Sequence, residues 1–225
     1  ALKMHGGLEK KDLKKENINS LKKGLENLER HIQNIKKFGL EPIVAINNFI
    51  TDTNKEIKIV FDFCKKLKVE ISECKHWAQG GKGATDLAKK VVKICKNSNK
   101  KKFRYLYKTS DKLLEKIDLI AKQIYRANKV EINQGVRDQL EMFESSGYGH
   151  LPICVAKTQY SFSTDPKLKG APSNHEISIR EVRLSSGAEF IVVICGSVMT
   201  MPGLPKIPAA DSITLNKKGE IEGLF

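Results

Sequence analysis

The sequence predicts an α/β fold: a parallel sheet flanked by helices, followed by a strand- and loop-rich C-terminal portion. Two observations predict the first half. Apolar stripes of helical period alternate with short β-branched runs between residues 17 and 95, and buried parallel strands joined by helices read that way. A third observation marks the second half. After Gly147-Tyr148-Gly149 short strand-like runs are separated by Gly- and Pro-containing loops, and every proline except Pro42 lies from Pro152 onward. The expected division is an α/β portion at 1–148 and a strand-rich portion at 149–225.

Taken in order, the chain opens with ALKMHGG and no initiator Met. Its Gly6-Gly7 pair reads as the end of a strand or loop continuing from something upstream. From Asn17 to Phe38, Ile18, Leu21, Leu25, Leu28, Ile32, Ile35 and Phe38 step by three and four, one stripe of an amphipathic helix, with Gly39 closing it. Pro42 to Asn47 is short, apolar and β-branched, so it predicts a buried parallel strand. Ile57, Val60, Phe61, Cys64 and Leu67 form a second helical stripe, capped by Asp52 or Thr53. Val69-Glu70-Ile71 predicts a strand, and Asp86 to Cys95 a third helix. Lys96 to Lys102 is a charged loop. Leu113 to Tyr125 and Val136 to Phe143 are helical, the latter weakly. Ile153 to Ala156, Ile177 to Arg180, Phe190 to Ile194 and Ile213 to Leu215 predict strands. No internal repeat is visible.

Composition excludes several classes of function. With 40% hydrophobic and 29% charged residues the chain is globular in type. Its longest apolar run, Phe190 to Cys195, is far short of the ~18 residues a membrane helix needs. No membrane partner is expected. The formal charge of +14 raises nucleic-acid binding, but the lysines lie as pairs inside helical patterns (Lys10-Lys11, Lys22-Lys23, Lys36-Lys37, Lys65-Lys66). The few aromatics are not interleaved with them as a stacking platform requires. A solvated basic surface, drawing small polyanions, is the expectation, with no nucleic acid. The five cysteines (Cys64, Cys74, Cys95, Cys154, Cys195) include no CxxC pair, which reads as a reducing, cytoplasmic setting without a disulfide framework. The scattered histidines lack HxH or HxxxH spacing, so no metal site is expected.

Chemistry can sit where the first two predicted strands end, since open α/β sheets bind ligands beyond the carboxyl ends of their strands. The first such loop is Asn47-Asn48-Phe49-Ile50-Thr51-Asp52-Thr53. Phe49 is there either a ligand platform or a residue tucked beneath the following helix. The second loop holds the only Trp, as Lys75-His76-Trp77-Ala78-Gln79-Gly80-Gly81-Lys82-Gly83. Two aromatics on adjacent loops could sandwich a flat heterocycle, with Gly80 and Gly81 letting the backbone approach and Asn47 offering polar groups; alternatively Trp77 is a core residue. The glycine run is not a Walker phosphate loop. In that pattern Gly-Lys is followed directly by Ser or Thr, with a Gly five residues before the second Gly. Here Gly83 follows Lys82, and the residue five before Gly81 is His76. Gly196-Ser197-Val198 falls short of a nucleophile elbow.

Several segments together resemble the C-terminal part of the formate–tetrahydrofolate ligase (formyltetrahydrofolate synthetase) family. They are Ala1 to Gly7, Val44 to Phe49 with Thr51-Asp52-Thr53, Trp77 to Gly83, Ala156 to Ser163, Met199 to Pro205 and Gly223-Leu224-Phe225. The resemblance implies an ATP-dependent ligase in one-carbon metabolism that makes 10-formyltetrahydrofolate from formate, tetrahydrofolate and ATP by way of formyl phosphate. It implies a homo-oligomeric parent, an ATP phosphate loop upstream of Ala1, and no catalytic residue on this chain. Phe49 and Trp77 match the two aromatics that sandwich the pterin ring. The alternative is a non-catalytic truncated paralogue binding folates or other polyanions. The sequence departs from the family at Asn48, where Lys or Arg is common. It also departs at Arg126-Ala127-Asn128, where Gly-Ala-Asp is common, and at Glu189, where a small residue is common.

Overall fold

The computed structural model describes residues 1–97, 103–198, 206–219 and 221–223. The chain runs α1 (Leu2–His5), α2 (Ile18–Lys37), β1 (Ile43–Asn47), α3 (Asn54–Lys66), β2 (Glu70–Cys74), α4 (His76–Gln79) and α5 (Thr85–Asn97). Then follow α6 (Leu113–Ile120), β3 (Lys129–Ile132), α7 (Gln134–Ser145), β4 (Ile153–Ala156), β5 (Glu176–Ser185), β6 (Phe190–Cys195), β7 (Thr214–Leu215) and β8 (Ile221–Glu222). The α/β class with a strand-rich later part is what the sequence predicts. One expectation needs correction and one element is added. The opening segment is one helical turn, not the end of a strand or loop: His5 N–H donates to the Ala1 carbonyl at 3.0 Å and Gly6 N–H to that of Leu2 at 2.9 Å. Residues 129–132, outside every predicted element, alternate as Lys-Val-Glu-Ile and form β3 beside β5.

β1 and β2 pair in parallel, Ile43 opposite Glu70 and Asn47 opposite Cys74. α3 makes the crossover. Its N-terminus is a capping box: Thr53 Oγ1 accepts from Glu56 N–H, and the Glu56 carboxylate accepts from Thr53 N–H. Leu21 and Leu25 of α2 and Val60 and Cys64 of α3 close over Ile71, forming the first core. α2 begins at Asn17, whose side chain accepts from Ser20 N–H, and ends at Phe38 with Gly39 turning left-handed at φ +74°.

α1 lies so close to α2 that only glycine fits between them. A Cβ on Gly24 would sit 1.9 Å from the Leu2 carbonyl oxygen, and one on Gly6 1.7 Å from that of Ser20. Lys3 of α1 is thereby carried inside, where its Nζ stands 3.1 Å from Glu56 Oε1 and 3.0 Å from the Lys15 carbonyl. Both side chains of this pair are buried.

The second sheet has the order β3-β5-β6-β4. β3 and β4 run parallel to their neighbours, and β5 and β6 are antiparallel with an irregularity between Ile179 and Glu181. α6 and α7 pack Leu113, Ile117, Val136, Leu140 and Phe143 against Ile177, Ile179, Val182, Ile191 and Val193. The compositional change near residue 148 therefore falls inside the second core. Lys116, wholly buried, donates to the carbonyls of Thr109, Gly149 and Leu151, and burial pulls its pKa below the usual lysine value.

The polar side of α2 joins the two parts. Asn27 Nδ2 donates to the Gly170 carbonyl at 2.8 Å, and Asn34 Nδ2 to that of Ile124 at 3.0 Å. The Arg30 guanidinium donates to the carbonyls of Ala171 and Pro172 and to Ser173 Oγ. Among the described residues no helix is long and apolar enough to cross a membrane.

Burial alone would raise the Glu56 pKa, but donors from Asn17 N–H, Lys3 and Thr53 N–H outweigh it and hold the carboxyl below 4.5. The folded chain therefore keeps this proton off more strongly than the unfolded chain. Its contribution to stability is complete above pH 4.5 and is lost as pH falls through the lower, folded value. Glu56→Gln strands the buried Lys3 charge, so urea unfolding at neutral pH should show a loss of about 3–5 kcal/mol. Equal midpoints for the two proteins would contradict this.

Candidate functional site

The carboxyl ends of β1 and β2 stand side by side, because Asn47 and Cys74 are register partners. Asn48 N–H extends the ladder by one bond, to the Cys74 carbonyl at 3.1 Å. Its side-chain amide donates to Glu73, which also pairs with Lys75 at 3.2 Å. A longer cationic side chain at position 48 would compete with Lys75 for that carboxylate; the amide leaves the two in balance.

Phe49 follows, at the first corner of a four-residue turn. Its N–H donates to Asp52 Oδ2 at 2.9 Å, and Asp52 N–H donates to the Phe49 carbonyl at 2.9 Å. The ring is not buried beneath α3: Phe49 is 52% exposed. One side faces an apolar cavity of about 510 Å³ bounded by Leu2, Leu21, Val44, Ile46 and Val60, with Asn47 and Asp52 at its edge.

Trp77 lies on α4, immediately beyond β2, and is 75% exposed. Within this chain Trp77 is therefore not a core residue. The turn that presents it closes through Lys75 N–H, which donates to the Gly83 carbonyl at 3.0 Å. Gly83 is required there, since a Cβ would meet the Lys75 carbonyl carbon at 2.4 Å. Gly80 has φ +56° and ψ −145°, a conformation that favours glycine, and open space lies where Cβ atoms of Gly80 and Gly81 would project.

The site residues named from sequence thus gather at one end of the first sheet. Phe49 and Asn47 border the apolar cavity, whereas Trp77, Gly80 and Gly81 lie outside its lining. Among the described residues, Phe49 and Trp77 make no ring contact with each other. Sequence reasoning overlooks Asp52 as the residue that shapes the Phe49 turn, weighing it only as a helix cap; its spacing three residues after Phe49 is the available signal.

The other quoted motifs lie elsewhere. Lys157 donates to the carbonyls of Thr158 and Ser161 and sits 5.2 Å from the centre of the Tyr125 ring. Burial lowers its pKa to about 8. Met199 to Pro205 falls outside the described residues, as do Leu224 and Phe225.

The whole chain, residues 1–225, matches the family model described as formate–tetrahydrofolate ligase. The chain belongs to the formate–tetrahydrofolate ligase family. Among curated members so named, it is 61% identical over 225 residues to that of Pelagibacter ubique, 56% over 224 to that of Hyphomonas neptunium and 54% over 226 to that of Methylorubrum populi. Each match takes in all of this chain and 40% of the relative, so the chain spans well under half the length of those ligases. Two of its departures from the ligase pattern fall on unusual backbone. Arg126 and Glu189 are left-handed, at φ +56° and +57°, where glycine, with no Cβ, is less strained.

Because Trp77 is the only tryptophan, native fluorescence reports this loop alone. The emission should already be that of a water-exposed indole, open to quenching by acrylamide, and urea should shift it little. A blue-shifted native band that moves strongly on unfolding would place the ring inside.

Proposed function

We propose that this chain is the tetrahydrofolate-binding part of a formate–tetrahydrofolate ligase. On this reading the parent enzyme makes 10-formyltetrahydrofolate from formate, tetrahydrofolate and ATP by way of formyl phosphate, in one-carbon metabolism. The observation that carries the reading is the pair of exposed aromatics, Phe49 and Trp77, on loops at the carboxyl ends of adjacent parallel strands. Exposed apolar side chains taken singly are ordinary; what distinguishes this pair is that a Phe and the chain's only Trp stand at the same end of one parallel strand pair, and a pterin supplies two flat faces to two such rings. Offset stacking adds ~0.5–1.5 kcal/mol per aromatic pair beyond burial. Polar backbone near Asn47, Gly80 and Gly81 suits the ring's hydrogen-bonding edge.

The division of labour is part of the proposal. Residues 1–148 carry the folate-binding portion and 149–225 the strand-rich remainder, the two sharing the second core. The ATP phosphates are held by a part of the ligase that lies outside these residues, since this sequence has no Walker loop. The parent works in the cytoplasm as a homo-oligomer, with no nucleic-acid or membrane partner. No residue of this chain is assigned to bond-making and no metal is assigned to it.

Two measurements test the proposal. The 225-residue chain by itself should give no 10-formyltetrahydrofolate, because the charge developing in phosphoryl transfer lacks its cradle; turnover by the purified chain would refute that. In the full-length ligase, Phe49→Ala or Trp77→Ala should raise KM for tetrahydrofolate roughly five- to a hundredfold, the loss of ~1–3 kcal/mol of stacking on one face. KM for ATP should stay put. A lower apparent kcat with both KM values unchanged would mean the rings serve folding instead.

A further inference from the structure

We propose that Asp52 is the positioning residue of the Phe49 platform: its carboxylate sets the ring's direction before any ligand arrives. The inference rests on Phe49 being part of the folate clamp and goes one step further, to what holds the ring there. Packing does not hold it, since more than half of Phe49 is exposed and the neighbouring Ile50 is 93% exposed.

Among the described residues, the backbone hydrogen bonds of Phe49 both go to Asp52. Phe49 N–H donates to Asp52 Oδ2 at 2.9 Å, and the Phe49 carbonyl accepts from Asp52 N–H at 2.9 Å. The two bonds form a closed ring around Ile50 and Thr51. It fixes φ and ψ of a segment that has little other support.

Asp52 is itself well anchored. The next residue, Thr53, is the N-cap of α3 and is locked by the reciprocal bonds with Glu56. Glu56 in turn is tied to Lys3 and to Asn17 N–H at 3.0 Å. A rigid line therefore runs from the first core to the turn, and the Asp52 carboxylate is its last link before the aromatic ring. Without that link the turn samples many shapes, and a ligand must order it on binding. Ordering a freed side chain and its loop weakens binding without touching the chemical step.

The test is steady-state kinetics on the full-length ligase with Asp52→Ala, Asp52→Asn, Phe49→Ala and the Phe49→Ala/Asp52→Ala double variant. Asp52→Ala should raise KM for tetrahydrofolate roughly three- to tenfold, with kcat and KM for ATP unchanged. Asp52→Asn keeps an acceptor oxygen and should restore the low KM. In the Phe49→Ala background, removing Asp52 should add nothing further, because the two act as one unit. KM is independent of the fraction of folded enzyme, so a lowered melting temperature does not blur the reading. If Phe49→Ala raises KM and Asp52→Ala does not, this inference alone is overturned. It is overturned equally if Asp52→Ala weakens binding to the same extent with and without the Phe49 ring, or if Asn fails to rescue. If Phe49→Ala leaves KM unchanged, the clamp falls and the inference falls with it.

Discussion

A lysine ammonium and a glutamate carboxylate, both out of water, meet where three segments of the chain converge. Lys3 comes from α1, Glu56 from the first turn of α3, and the pair is completed by the Lys15 carbonyl and by the backbone N–H groups of Asn17 and Thr53. Desolvating two charges is costly, and their attraction offsets that cost only when the remaining donors and acceptors are satisfied. Here the carboxylate accepts from three sources, and that is why the pair is tolerated. Its effect is geometric. It holds the N-termini of α2 and α3 together under the end of β1, so the strand-end loops stand on a fixed base.

Much of this arrangement is legible in the sequence because it follows from periodicity. The α2 stripe, the β-branched run of β1 and the Thr53 to Glu56 spacing each announce themselves within a few residues. So does the candidate site: Phe49 and Trp77 stand out as large aromatics in polar loops after strands. What stays hidden is long-range polar partnership. Nothing local distinguishes Lys3 or Lys116, both buried, from the many lysines that are solvated. Likewise Asn27, Arg30 and Asn34 lie on the polar side of an amphipathic helix, where water is the ordinary partner, yet all three are buried against carbonyls. β3 is a different case: Lys129-Val130-Glu131-Ile132 does alternate, but a run of four residues is too short to stand out until its pairing with residues 176–179 is seen.

The two cores differ in how they use charge. The first buries an ion pair at its rim, whereas the second buries a single ammonium, that of Lys116, against three carbonyl oxygens and 5.7 Å from the Tyr107 ring centre. Carbonyl dipoles and an aromatic face stabilise a cation without a full counter-charge. The loops at 103–111 and 146–152 are thereby tied to α6, and the carboxylates of Asp111 and Glu144, though not bonded to the ammonium, add their attraction. The basic excess of the chain is therefore not wholly a surface property.

The Arg30 guanidinium bonds to residues 141–143 positions further along the chain. That separation has a meaning in time as well as space. As the polypeptide leaves the ribosome, the β1–α3–β2 unit is finished once residue 74 has emerged, since its strands pair at short range. α2 must then wait, with Asn27 and Arg30 still hydrated, until residues 170–173 have been made. Contacts of such span form late and slowly. The β1–α3–β2 unit that presents Phe49 and Trp77 can thus form before the residues that fasten α2 to the second part have been made.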